Sequence, residues 1–116
     1  MIGINLREAR IPDNDGNQPI NQPIVPDGPA AYFTTLPVRE MVAAMQMNDI
    51  PCGLSYSAGV FVCNDVLYSL LHHYRDTTIR TGFIHVPFLP EQAKDGQPSM
   101  PLEEIVRGLT LAINAI

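Results

Sequence analysis

The segment SAGVFVCN, residues 57–64, joins a predicted strand to a predicted helix and so indicates the class of fold. The strand is CGLSYS, residues 52–57, which ends where the small residues of a turn begin. The helix covers residues 60–75, where apolar side chains recur every three or four positions. Cys63 lies in the first turn of that helix, so the segment raises the question whether its thiol serves packing or chemistry. The predicted apolar stripe consists of Val62, Val66, Leu67, Leu70, Leu71 and Tyr74.

Outward from this segment, strands and helices alternate along the chain. Further strands are predicted at residues 2–5 and within residues 78–90, and further helices at residues 35–49 and 101–116, with loops at residues 7–30 and 91–100. Such alternation is typical of a parallel sheet covered by helices on both sides. We therefore expect an α/β fold with three α/β/α layers and a mostly parallel sheet.

Composition and charge narrow the classes of function. The chain has 116 residues, enough for one domain, with 46% hydrophobic and 16% charged residues. The formal net charge is -5, which argues against nucleic acid or an anionic membrane as a partner. No stretch approaches the roughly 18 consecutive apolar residues of a membrane span. The start, MIGINLREAR, does not resemble an export signal, so we expect a cytoplasmic protein.

The residue patterns predict neither a metal nor a nucleotide cofactor. The two cysteines, Cys52 and Cys63, are too few for a disulfide framework. The sequence contains no CxxC or HExxH spacing that would indicate a zinc site. It also contains no GxGxxG or Walker loop, so we expect no cofactor.

Cys63 and His85 are the candidate catalytic pair. A right-handed crossover through the helix would make strands 52–57 and 79–86 parallel, with their carboxyl ends at one edge of the sheet. Cys63 follows the first strand, and His85 lies at the end of the second. Free N–H groups at the helix start favour a thiolate, and a nearby imidazole can activate it, which indicates acyl transfer. The alternatives are a small buried cysteine and a core histidine bonded to backbone.

Three blocks of the sequence resemble the pyroglutamyl peptidase I family. They are INLREARIPDNDGNQPINQPIVPDGPAAYFTTLPV, SAGVFVCN and GFIHVPFLPEQ, and the resemblance extends over nearly the whole chain. Members of this family are cytosolic cysteine peptidases with an α/β/α fold and a Cys-His-Glu triad. They remove N-terminal pyroglutamate (5-oxoproline) from peptides. The resemblance implies that Cys63 is the nucleophile and His85 the general base.

The same resemblance implies a substrate pocket. Ile11, Phe61 and Val62 would line the pocket for the pyrrolidone ring, and Arg10 would lie near the oxyanion. Loop 7–30 would then lie over the site, so its length would be functional.

The resemblance also implies that part of the family domain is missing. Family members are roughly twice as long, and their triad glutamate falls just ahead of the block that begins at Ile2; Glu8 does not match its position. We therefore expect residues 1–116 to be one α/β domain that is truncated at its N-terminus, the C-terminal half of a pyroglutamyl peptidase-like domain. Uncovered apolar helix faces would favour a homo-oligomer or pairing with the missing N-terminal half. Two hypotheses stay open: a pyroglutamyl peptidase, or a non-catalytic remnant that acts as an interaction module.

Overall fold

The computed structural model describes all residues from 1 to 116. Its regular elements, in chain order, are β1 (Ile2–Ile4), β2 (Ala31–Phe33), α1 (Val38–Gln46), α2 (Val62–His73) and α3 (Leu102–Asn114). The chain divides into two units. The first unit comprises Met1–Leu36 and Ser55–Phe83 and holds β1, β2 and α2, whereas the second comprises Pro37–Leu54 and Ile84–Ile116 and holds α1 and α3.

The first unit is built on an antiparallel pair of strands with a helix against it. The register of β1 and β2 is Ile2 opposite Phe33, Gly3 opposite Tyr32, and Ile4 opposite Ala31. Helix α2 approaches β1 closely, because a Cβ atom on Gly3 would lie 3.1 Å from the Tyr68 Cα atom. A side chain at position 3 would therefore push the helix away from the strand.

The buried face of α2 differs from the predicted stripe. Leu67 and Leu71 are buried as predicted, but Val62 and Val66 are 65% and 43% exposed. The buried positions on α2 are Asn64, Leu67, Tyr68 and Leu71, at helical spacing. The stripe prediction was wrong in part because it counted only apolar residues, whereas a hydrogen-bonded asparagine occupies the first position of the buried face.

In the second unit, α1 packs against α3. Met41 of α1 and Ala112 of α3 are buried, as is Ile50 in the segment after α1. A Cβ atom on Gly108 of α3 would lie 3.1 Å from the Ile50 side chain, so the glycine allows close packing. The helices predicted at residues 35–49 and 101–116 are confirmed, with shorter bounds.

The strand predictions were partly wrong. The strand at residues 2–5 is confirmed by β1, but residues 52–57 and 78–90 form no strand, and β2 was not predicted. A strand exists only through pairing with a neighbour. Segment 52–57 has one parallel bridge, between Ile2 and Ser57, which is too short to form a strand.

Loop 7–30 contains no helix or strand, as predicted, and is ordered by hydrogen bonds. The backbones of Arg7 and Gln22 exchange two hydrogen bonds, of 2.7 and 3.2 Å. The side chain of Asn5, just before the loop, accepts from Val25 N–H at 2.9 Å and donates to the C=O groups of Val25 and Gly28. The loop is therefore folded back on itself and fixed at its base. No helix in the chain has the length and apolar character that crossing a bilayer requires.

Candidate active site

The start of α2 carries Cys63 as the second helical residue, half-buried and with a free thiol. Phe61 ends the preceding extended backbone, and its C=O accepts the first helical hydrogen bond from Asp65 N–H at 3.1 Å. No side chain caps this helix start. The N–H groups of the first turn therefore have no partner within the helix and give the helix start its partial positive charge.

A pocket of about 520 Å³ opens in the first unit beside this helix start. It brings together Ile11 from loop 7–30 with Phe61 and Val62 from the start of α2. These three residues are the ones that the family resemblance assigns to the pyrrolidone pocket. The other lining residues come from the same loop and helix start: Arg7, Glu8, Ala9, Asp13, Asn17, Gln18, Pro19, Gln22, Val60 and Asp65.

An ion pair joins loop 7–30 to the first turn of α2 at the pocket wall. Arg7 Nε donates to Asp65 Oδ2, and Arg7 Nη2 donates to Asp65 Oδ1 at 3.3 Å. The carboxylate raises the pKa of the Arg7 guanidinium by hydrogen bonding and charge, against the opposing effect of burial. Because both side chains remain 31–41% exposed, water screens the pair, and its contribution to stability is small.

Asn64, directly after Cys63, makes the buried link between helix and strand. Its Oδ1 atom accepts from Ile4 N–H at 2.8 Å, and its Nδ2 atom donates to the C=O groups of Ile4 (2.8 Å) and Leu6 (3.2 Å). The side chain is fully buried. The sequence analysis gave Asn64, Asp65 and Arg7 no role. A signal was present, since Asn64 lies at helical spacing from Leu67 on what proved to be the buried face.

Glu8 and His72 have defined partners in the first unit. Glu8 Oε2 accepts from Asn21 N–H at 2.7 Å, so this carboxylate is engaged within the loop. His72 Nδ1 lies 2.9 Å from the Tyr32 hydroxyl, and its ring stacks on Tyr68. The pKa of the Tyr68 hydroxyl is raised mainly by burial. This hydroxyl donates a hydrogen bond to Pro29 C=O.

Three of the residues predicted for the site, Cys63, Arg10 and His85, lie outside the pocket lining. Arg10 is exposed in loop 7–30, next to Ile11. His85 belongs to the second unit, where it is exposed and in no regular element, although the predicted strand would have buried it. The pairing of Cys63 with His85 therefore stays a prediction.

Cys52 lies in the second unit in a different environment. Its Sγ atom donates to Val42 C=O at 3.7 Å, and burial raises the pKa of its thiol. Its neighbour Ile50 is buried. Neither cysteine is part of a metal site, since no cluster of three His, Cys, Asp or Glu side chains could hold an ion.

A cysteine at an uncapped helix start beside a pocket is an arrangement that suits nucleophilic attack on a carbonyl. Comparisons with known proteins give the family. Residues 1–116 match the family model described as pyroglutamyl peptidase. The chain is 52% identical over 116 residues to the pyrrolidone-carboxylate peptidase of Aliivibrio fischeri strain MJ11, covering 99% of this chain and 55% of the relative. It is 54% identical over 115 residues to that of Pseudomonas fluorescens strain SBW25, covering 98% and 54%.

Solved structures give the same result. The crystal structure of pyroglutamyl peptidase I from Bacillus amyloliquefaciens matches with a TM-score of 0.91 and 44% identity, covering 98% of this chain and 56% of that one. Pyrrolidone carboxyl peptidase from Pyrococcus furiosus matches with a TM-score of 0.90 and 39% identity, covering 97% and 58%.

The chain belongs to the pyroglutamyl peptidase family. This result confirms the predicted resemblance, and the likeness to the solved structures confirms the α/β fold class. The chain spans about half the length of the curated relatives that it matches.

Proposed function

We propose that this chain acts as a cysteine-type omega peptidase that removes N-terminal pyroglutamate from peptides. Cys63 is the nucleophile, and His85 is the general acid and base. The observation that carries the proposal is the position of Cys63 at the start of α2, directly after Phe61 and Val62, which line a pocket together with Ile11. A ring with apolar methylene groups fits beside such side chains. Cys63 follows Val62 directly in the chain, so we assign its thiol to the attack on the scissile carbonyl of a bound pyroglutamyl peptide.

The reaction proceeds in two steps. The Cys63 Sγ atom attacks the carbonyl carbon that joins pyroglutamate to the next residue, a tetrahedral intermediate forms, and the C–N bond breaks. His85 takes the proton of the Cys63 thiol during the attack and gives it to the departing amine, and a thioester on Cys63 remains. Water then attacks the thioester with His85 as base, which releases pyroglutamate and restores the thiol.

The negative oxygen of the tetrahedral intermediate needs hydrogen-bond donors. The N–H groups in the first turn of α2 lack partners within the helix and surround Cys63. They are therefore suited to receive the oxyanion, where one donor is worth about 10²-fold or more in rate. We assign Arg10 to the same region as a further positive charge, since it precedes the pocket residue Ile11 and is exposed.

An enzyme is the function that the relatives support. The curated relatives from Aliivibrio fischeri and Pseudomonas fluorescens are named as peptidases, and they share about half of their positions with this chain in the matched region. No comparable observation favours a non-catalytic interaction module. The substrates of this chain are accordingly peptides that begin with pyroglutamate.

We extend the proposal to assembly and location. Residues 1–116 correspond to the C-terminal half of one α/β domain in the longer relatives. Helix α3 exposes Leu102, Val106 and Ile113 by 53–61%, which is apolar surface that a second copy or the remaining half of the family domain would cover. The protein works in the cytoplasm, where its two free cysteines stay reduced.

The test of the function is a hydrolysis assay with matched reporter amides. Paired with the remaining half of the family domain, the chain is expected to cleave a pyroglutamyl reporter and to leave the prolyl reporter intact, because proline lacks the lactam C=O and N–H that a pyroglutamate site would bond. The Cys63→Ala variant removes the thiol and should abolish cleavage, whereas Cys52→Ala should not. Equal cleavage of the two reporters, or turnover that survives Cys63→Ala, would overturn the assignment.

A further inference from the structure

We propose that Asn64 is a positioning residue for Cys63: it fixes the first turn of α2 to β1 and so holds the thiol at the helix start. The proposal rests on the proposed function only in taking Cys63 as the nucleophile. Asn64 itself is placed away from the reacting atoms, because its side chain points to the strand.

The hydrogen bonds of Asn64 replace those of a neighbouring strand. Both the N–H and the C=O of Ile4 bond to its side-chain amide at 2.8 Å, and Leu6 C=O accepts a further bond at 3.2 Å. A primary amide offers the same donor and acceptor as a backbone rung, so one side chain completes the free edge of β1. Since Asn64 is fully buried, water cannot replace these bonds when they are lost.

The other links between these two segments are weaker. The Arg7–Asp65 ion pair connects the same turn to the loop, but both side chains are partly exposed. A single backbone bond of 3.2 Å runs from Glu8 N–H to Val60 C=O. Asn64 is therefore the link that remains strong when solvent and salt compete.

Fixing this turn matters for Cys63 because the helix start has no other internal support. The first turn has no side-chain cap, and uncapped helix ends fray. If residues 62–64 left the helical conformation, the free N–H groups would no longer point together at the thiol. The partial positive charge at the thiol would then be lost, and with it the support for a thiolate and an oxyanion.

The test compares alkylation of the two cysteines in folded variants. Rate constants for iodoacetamide at Cys63 and Cys52 are measured by peptide mass spectrometry in wild type, Asn64→Ala and Asn64→Leu, the second of which keeps the volume of the site filled. We expect the Cys63 rate at neutral pH to fall about fivefold in both variants, the size of a helix-end effect, with the Cys52 rate unchanged. In the hydrolysis assay, kcat should fall while KM stays nearly constant, because the pocket residues Ile11 and Phe61 are untouched.

The matched control is Leu71→Ala, which removes a buried side chain from the same helix two turns further on. It should destabilise the first unit while leaving the ratio of the Cys63 and Cys52 rates as in wild type. An unchanged ratio in folded Asn64→Leu, or an equal fall in Leu71→Ala, would overturn the positioning role. If wild type does not hydrolyse the pyroglutamyl reporter but the ratio still falls in the Asn64 variants, the positioning role stands and the proposed function fails.

Discussion

The two cysteines of this chain lie in regions that are built in different ways. Around Cys63, buried and half-buried polar side chains join the start of α2 to β1 and loop 7–30, with Asn64 at the centre. Around Cys52, the surroundings are largely apolar: α1 packs against α3, Ile50 is buried, and the pKa of the Cys52 thiol is raised by burial. Hydrogen bonds therefore fix the helix start that carries one thiol, whereas burial raises the pKa of the other.

Substitutions on the buried face of α2, the helix that carries Cys63, should change the free energy of unfolding most. Leu67 is fully buried, so Leu67→Ala should lower the free energy of unfolding by about 3 kcal/mol through lost transfer energy and a cavity. The neighbouring Val66 is 43% exposed, so Val66→Ala should cost less than about 1 kcal/mol. Urea titration of both variants provides the measurement. Equal losses would mean that the region around Cys63 is not organised by the buried face described here.

A smaller difference is expected between the alkylation rates of the two thiols. Near neutral pH, iodoacetamide should modify Cys63 roughly tenfold faster than Cys52, because burial raises the pKa of the Cys52 thiol and lowers its reactive thiolate fraction. Burial raises the pKa of Cys52, so its thiolate fraction is low at neutral pH and increases only as the pH rises into the alkaline range. The ratio of the two rates should therefore be largest at neutral pH and shrink with increasing pH. Similar rates at neutral pH would remove the distinction between the two regions.

The raised pKa of Cys52 also makes the free energy of unfolding depend on pH. A thiol whose folded pKa is raised stabilises the fold while it is protonated, below its unfolded pKa of about 8.5. This contribution is lost as the pH rises from there through the folded pKa. The loss belongs to the second unit alone, and Cys52→Ala would remove it.

The sequence predicts those elements whose residue pattern lies within one segment of the chain. Helices α1 and α3 and the position of Cys63 in the first turn of α2 were predicted, because an apolar repeat every three or four residues is a property of the segment itself. The predictions of strands at residues 52–57 and within residues 78–90 were wrong, because a strand depends on a partner elsewhere in the chain.

The residue pattern alone did not predict the pocket. Ile11, Phe61 and Val62 were selected by family resemblance, and they do line one pocket, although their role in binding stays a prediction. The sequence did not predict that Asn64 is buried, because a polar side chain does not contribute to an apolar repeat. Its three hydrogen bonds to Ile4 and Leu6 depend on a strand some 60 residues away in sequence.

In the proposed reaction, Cys63 carries the acyl group during hydrolysis of a pyroglutamyl bond. The most direct measurement is to mix the chain with a pyroglutamyl reporter, stop the reaction in acid to preserve any thioester, and locate added mass by peptide mapping. We predict that one pyroglutamyl group is attached to Cys63, with none on Cys52 and none anywhere in Cys63→Ala. Release of the reporter with the group on another residue, or with Cys63 unmodified and dispensable, would contradict the claim.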